Sequence, residues 1–437
     1  MPSPTIGESL AKKEKGWDFF STGFRHEYSA RHLFGTDGVD FQERVNFQRL
    51  REYRLGRLRW AMKKFNLSAL LVNIGDNIRY ATGTWDYAWK GNNNSRYALV
   101  FHDDNWPILF DTVGLDSHVT QLYCPWMEGR LRPAITYRYT ADGFQPICRR
   151  YWEQIQSECR EGGVDVVKDP VGVDFVDPGA LVIAQEMNLK VVPAGQAINE
   201  ARYIKNRDEL EMLKVAAAIG DMAYWKAKYE FAKPGVRERE VLGKVVDFLY
   251  QCGVQHAWGT NVASGGNTNP YIRAFTDKLI RQGDMIILDL NSNHYYGYIQ
   301  DLCRSWVVAD EMTSKQKEVY KVCYDLLQRS LEKIKAGSST ADIAGAWPEY
   351  YDDKYKTCSL VQFAHTIGQG LYEGFWVSRG FSLDYPQELQ ENMYLAVETW
   401  AGDPGEEFSV RLENNLVVTR DGYIVFDLFP FEQEALG

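Results

Sequence analysis

Two aspartates set inside apolar strands constrain this chain more than any other feature. Residues 286–308 read IILDLNSNHYYGYIQDLCRSWVV, two apolar strands joined by a polar turn containing Gly297. Asp289 and Asp301 stand near the inner end of each strand. A carboxylate left ionised and unpaired in apolar surroundings costs several kcal/mol, so a chain that does this twice needs a cation close by. The segment holds no Lys, and Arg304 has the opposite strand parity to Asp301. The pattern points to a bound metal, and so to further ligands elsewhere.

Three later residues meet that need. His365 stands in VQFAHTIGQGLYEG, Glu398 in MYLAVETW and Glu413 in VRLENNLVVT, each a polar group where strand alternation predicts burial. Four converging carboxylates repel one another unless cations compensate. Two divalent ions would balance the four charges, with His365 neutral and binding through one ring nitrogen. Four acids and one imidazole suit Mn, Fe, Co or Zn, and spacing does not choose among them. Taken singly, each residue reads equally well as a satisfied core group, and Arg411 shares Glu413's parity and could pair with it. The reading rests on all five together.

The remaining sequence sets bounds. At 437 residues the chain is long enough for two or three domains. A net charge of −10 makes a nucleic-acid backbone an unfavourable partner. Seven Cys without a CxxC pair read as reduced thiols rather than a disulfide framework or zinc ribbon. The opening MPSPTIGESLAKKEKGW has no apolar core of signal-peptide length, and no run of ~18 apolar residues occurs. The expectation is a soluble, cytoplasmic protein with a small-molecule substrate and no membrane or nucleic-acid partner.

In chain order, residues 1–45 are polar and irregular, an expected N-terminal arm. Residues 46–200 read as one α/β domain. A helix over Phe47–Phe65 precedes strands at Ala69–Val72, Ile78–Tyr80, Tyr97–Phe101 and Pro107–Phe110. A helix at Ile147–Cys159, a strand near Val171–Val176, a short helix near Gly179–Glu186 and a strand at Lys190–Val192 follow. The loop TWDYAWKGNNNSR, residues 84–96, reads either as a lid or as a surface loop anchored by its aromatics. Residues 201–437 form the second domain. Its helices are expected over Ala201–Phe231, Arg237–Cys252 and from the Thr313/Gln316 capping box to Ala336. Its later strands are expected at Leu360–Phe363, Met393–Val397, Phe408–Val418 and Ile424–Asp427.

The order Asp, Asp, His, Glu, Glu, with the phrases IILDL…GYIQDLCRSW, HTIGQGLYE and VRLENNLVVT, resembles the creatinase/methionine aminopeptidase superfamily. RYIKNRDELEMLKVAAAIGDMAY is similar to the helix that opens the catalytic domain of its two-domain members. The resemblance covers roughly residues 46–435. It implies an α/β (α+β) fold, with a creatinase-like N-terminal domain and a C-terminal "pita-bread" catalytic domain. It further implies metal ligands at Asp289, Asp301, His365, Glu398 and Glu413, two divalent ions, and a homodimer.

The resemblance also bears on the reaction. Peptidases of this superfamily carry a His shortly before the first Asp, where this chain has Tyr271 and Ile272. Those that cleave before proline tend to carry a second His, where only Gln369, Gly370, Leu371 and Tyr372 follow. The NPY phrase, the N-terminal arm and NIRYAT at Asn77–Thr82 instead resemble the dimethylsulfoniopropionate lyase branch. The match is incomplete: Asn291 stands where that lyase has another acid ligand, and Leu371 where it has a catalytic Asp. The expected function is therefore a dimetal lyase that cleaves a C–S, C–O, C–C or C–N bond in a small substrate. Glu373, Tyr271 and Tyr298 are its candidate catalytic residues. Trp85, Tyr87, Trp89, Phe375, Trp376 and Trp400 read either as core or as walls of a pocket for an apolar, aromatic or onium-bearing substrate. The competing expectation is an Xaa-Pro dipeptidase, aminopeptidase or creatinase-like hydrolase.

Overall fold

A computed structural model describes residues 45–84, 95–112, 116–138, 140–257, 259–270, 274–348, 363–402 and 407–437. Residues 1–44 of the expected arm, Trp85, Tyr87, Trp89 and Tyr271 lie outside these. The described chain divides into two compact units, residues 46–201 and residues 202–437.

The first unit is a mixed sheet between helices. Its strands are β1 (Ala69–Val72), β2 (Tyr97–Phe101), β3 (Ile108–Asp111), β4 (Leu131–Pro133), β5 (Val171–Val173) and β6 (Val191–Pro193), in the order β4-β3-β2-β1-β5-β6. The β1, β2 and β3 residues are all buried, which suits their unbroken apolar runs. The helices α1 (Phe47–Lys64), α3 (Phe144–Glu161) and α4 (Pro178–Glu186) supply apolar stripes to two cores flanking the sheet. One element departs from expectation: Ile78–Tyr80 belongs to the helix α2 (Gly75–Thr82), not to a strand. Asp174, just past β5, decides this by accepting hydrogen bonds from the Asn73 and Ile74 N–H groups at 2.8 and 3.0 Å and from Asn77 Nδ2 at 2.9 Å. Gly83, in the left-handed region at φ 68°, closes the helix.

The second unit opens with α5 (Arg207–Lys226). Asn206 Oδ1 accepts from Glu209 N, and Glu209 Oε2 accepts from Asn206 N, a reciprocal cap that fixes where the helix starts. Then come α6 (Glu238–Gln251) and the strands β7 (His256–Ala257) and β8 (Thr260–Ser264). The hairpin of β9 (Met285–Tyr295) and β10 (Tyr298–Val307) follows, turning through Tyr296 and Gly297, both at positive φ. These strands make one sheet in which β9 pairs with β7, β8 and β10. After α7 (Ser314–Leu331) a second sheet forms from β11 (Ala364–Thr366), β12 (Trp376–Val377), β13 (Tyr394–Ala401), β14 (Val410–Val418) and β15 (Tyr423–Val425), in the order β12-β11-β13-β14-β15.

Strand alternation gives the second sheet two different faces. Leu395, Val397 and Leu412 share one core with Val319, Tyr320, Cys323 and Leu327 of α7. Residues of the other parity, among them Glu398 and Glu413, point to the opposite face. That face meets β10: Ser305 Oγ donates to Arg411 O at 2.9 Å and accepts from Arg411 N at 3.0 Å. Among the described residues, no helix is long and apolar enough to cross a membrane.

Candidate metal centre

All five acids and imidazoles singled out in the sequence lie in this second unit on five strands, each at most 4% exposed. Asp289 sits on β9 and Asp301 on β10. His365 on β11, Glu398 on β13 and Glu413 on β14 come from the other sheet. Glu398 and Glu413 are direct cross-strand partners. Asp301 faces Asn291 on β9, just where the β9–β10 register shifts between Gln300 and Asp301.

Three of the five converge most closely. Asp301, His365 and Glu413 each offer a ligand atom within 4.8 Å of the other two. His365 Nε2 lies 3.1 Å from Asp301 Oδ2 and 3.7 Å from Glu398 Oε1. Both carboxylate oxygens of Glu413, and Oε1 of Glu398, are buried without a hydrogen-bond partner among the described residues. Burial, reinforced by the charges of Asp301 and Asp289 and opposed by Arg411, pushes the Glu413 carboxyl well above the usual range. A fully buried acid with neither oxygen satisfied, beside an imidazole and a second acid, fits a divalent cation.

Arg411 is the cation among these acids that sequence reasoning places differently. Parity suggests a pair with Glu413, two residues along the same strand. Instead its guanidinium donates to Glu398 Oε2, and its Nε lies 3.7 Å from Asp289 Oδ2. Arg411 is directly opposite Trp400, so Glu398, two residues from Trp400, is its diagonal neighbour across the ladder. Arg304, by contrast, spends its donors on Phe429 O, Glu413 O and Asn414 Oδ1, as its opposite parity to Asp301 predicts.

The catalytic candidates fare differently. Glu373 is a structural clamp: Arg202 donates to Oε1 through Nε at 2.9 Å and Nη2 at 2.5 Å, and Lys205 donates to Oε2. The N–H groups of Gln369 and Gly370 also donate to Oε1, and a Cβ on Gly368 would collide with Oε2. Burial alone would raise the Glu373 carboxyl, but Arg202 and Lys205 outweigh it and hold the group at about 2. A carboxylate so occupied is a poor proton acceptor at neutral pH, which weighs against Glu373 as the base. The Tyr298 hydroxyl donates to Glu209 Oε1 at 3.1 Å and is buried, so it serves the start of α5. Of the aromatics, Phe375 belongs to the core, whereas Trp376 is 43% exposed and directly opposite His365 across β11–β12. Tyr372, 47% exposed, lies between them, with its ring centroid 4.7 Å from that of His365 and 4.8 Å from that of Trp376. Trp400 is half-buried and donates to Ser409 Oγ.

An imidazole and two acids converging from two sheets of a helix-flanked unit could hold a metal ion, in a fold of the pita-bread kind. The pattern of metallopeptidase family M24 matches residues 211–420, a little under half of the chain, and there the chain is similar to this creatinase-like superfamily. The dimethylsulfoniopropionate lyase DddP of Roseovarius nubinhibens is 23% identical over 90% of this chain and 89% of its own length. The Xaa-Pro dipeptidase of Pyrococcus furiosus is 28% identical over 52% of this chain and 63% of its own. The uncharacterized peptidase YqhT of Bacillus subtilis is 28% identical over 53% of this chain and 64% of its own length. The match thus spans under two thirds of either peptidase. Among solved structures, an Xaa-Pro dipeptidase from Bacillus anthracis superposes with a TM-score of 0.69 at 21% identity, covering 87% of this chain and 98% of that one, a likeness of fold.

Proposed function

We propose that this protein is a divalent-metal-dependent lyase that cleaves a C–S, C–O, C–C or C–N bond in a small organic substrate. The observation that carries the reading is the reach of the likeness. In sequence the lyase match runs through 90% of the chain, both units included, whereas the dipeptidase match reaches 52%, the dipeptidase likeness beyond that being one of fold. The sequence around the site supports it: Tyr271 and Ile272 stand where the resemblance implies a peptidase His, and only Gln369, Gly370, Leu371 and Tyr372 follow where those that cleave before proline tend to carry a second.

Asp301, His365 and Glu413 would hold one ion, and Asp289 and Glu398 would share in holding a second. Bound there, such ions supply a Lewis acid that stabilises the negative charge developing as the bond breaks. Arg411 orients Glu398 through a hydrogen bond and brings its charge to 3.7 Å from Asp289. Beside them His365, Tyr372 and Trp376 form a wall of rings, suited to a poorly hydrated onium or apolar group. Tyr271 remains the sequence-based candidate for the proton acceptor. We take the working protein to be a cytoplasmic homodimer, a state that sedimentation measures directly.

The higher identity to dipeptidases over a shorter stretch favours a second reading, an Xaa-Pro dipeptidase or creatinase-like hydrolase. One experiment separates the two. Protein loaded in turn with Mn, Fe, Co and Zn is given dimethylsulfoniopropionate, other β-substituted carboxylates and Xaa-Pro dipeptides, with products followed by NMR. The expected product is an alkene. Release of proline, lost in His365→Ala, would overturn the lyase reading.

A further inference from the structure

β10 and β14 belong to different sheets, so no backbone ladder fixes their spacing, yet each carries a member of the closest ligand trio, Asp301 and Glu413. Side chains do the joining, and they do it reciprocally. From β14, Asn415 Oδ1 accepts from Asp301 N at 3.3 Å while Asn415 Nδ2 donates to Asp301 O. From β10, Arg304 donates to Glu413 O through Nη1 and to Asn414 Oδ1 through Nη2 at 2.9 Å. Asn415 thus meets the Asp301 main chain as a neighbouring strand would. It does so at the point where the β9–β10 register shifts.

The Asn415 amide is itself held. Asp427 Oδ2 accepts from both Asn415 N and Asn415 Nδ2, and Asp427 Oδ1 accepts from Gln300 Nε2 at 2.8 Å. Gln300 Nε2 also donates to Ala217 O of α5 at 3.2 Å. Gly220 makes room for this on the helix, since a Cβ there would collide with Gln300 Oε1. Asn415, Asp427 and Gln300 are each at most 5% exposed.

We propose that Asn415 is a positioning residue for the metal centre: it fixes the main chain of Asp301, and so sets how far Asp301 stands from Glu413. This rests on Asp301 being a ligand. Partners one bond removed from a metal commonly tune its affinity by about 10–100-fold. Full-length protein is stripped of metal and titrated with Mn²⁺ by calorimetry, and its melting is followed separately. Asn415→Leu, close in shape but unable to make either bond, is expected to weaken Mn²⁺ binding by about 10–100-fold while remaining folded. Asn415→Ala is measured beside it in case the larger side chain prevents folding. Tyr320→Phe, which removes a buried hydroxyl that accepts from Glu432 N, is expected to lower the melting temperature and leave Mn²⁺ affinity unchanged.

Wild-type affinity in either folded Asn415 variant overturns the proposal, as does an equal loss of affinity in Tyr320→Phe. Asp301→Asn separates the ligand assignment from the positioning role. If it leaves Mn²⁺ affinity intact, the ligand assignment fails and this inference with it. If it weakens binding while the Asn415 variants do not, only the positioning role fails.

Discussion

Glu398 and Glu413 stand directly opposite each other on β13 and β14, both fully buried, with Arg411 reaching only the first of them through a hydrogen bond. Like charges in this position oppose folding unless a cation or a proton intervenes. A divalent ion should therefore stabilise the protein by mass action, by about 2.7 kcal/mol at a concentration 100 times its Kd. Melting with and without Mn²⁺, followed by chelator, checks this. An unchanged melting temperature would mean that no ion binds the folded state in preference.

Glu413→Gln should move two quantities in opposite directions. Removing one of four clustered acids relieves repulsion, so the metal-free variant is expected to melt at or above the wild type. Its Mn²⁺ affinity should fall by at least about 100-fold, since a ligand and not merely its support is lost. A variant that loses stability and keeps its metal would count against Glu413 as a ligand.

Glu373 predicts an acid-sensitive clamp. Its carboxyl is held at about 2, against an ordinary 4.5, so its contribution to stability is complete above about pH 4.5 and disappears as pH falls through about 2. The size is on the order of 3 kcal/mol. Glu373→Gln leaves Arg202 and Lys205 buried without their counter-charge and should cost about 3–5 kcal/mol at neutral pH. Denaturant unfolding of both proteins between pH 7 and 2 should show their stabilities converging at the acid end.

Trp376→Ala tests the ring wall. An onium group lying against an aromatic face gains about 1–2 kcal/mol, so KM for such a substrate should rise about 5- to 30-fold with little change in kcat. An unchanged KM would remove Tyr372 and Trp376 from the binding surface.

Tyr298→Phe separates a structural phenol from a catalytic one. Loss of its bond to Glu209 should cost about 1 kcal/mol of stability and leave turnover near the wild-type rate. Turnover slowed by about 100-fold or more, with the fold intact, would restore Tyr298 to the chemistry, since a loss of that size is what removing a general acid or base brings.

What is legible in the sequence follows from the range of the forces involved. A buried acid in an apolar strand announces itself locally, which is why Asp289 and Asp301 can be singled out before their partners. His365, Glu398 and Glu413 follow from strand parity in the same way. Glu373 looks unpaired in the sequence because the cations that neutralise it, Arg202 and Lys205, are 171 and 168 residues away. Parity pairs Arg411 along its own strand, whereas its nearer carboxylate lies diagonally across the ladder. Ile78 and Tyr80 carry strand-like side chains, but their conformation is set by Asp174, about 100 residues later. Asn415 gives no local signal, since an Asn among apolar residues looks the same whether it holds a bulge or faces water.

The register shift before Asp301 also divides the hairpin into two stretches of separate phase. On the inner side Cys303 faces Asp289, and on the outer side Gln300 faces Asn293, with Ser292 as the extra residue between them. A change of length at the Tyr296–Gly297 tip would normally rotate every side chain behind it by half a turn. Here the slack is already located at one point, and Asn415 grips the chain immediately behind it. A slip in pairing that starts at the tip thus meets a fixed point before it reaches Asp289 and Asp301, whose facing is held from the other sheet.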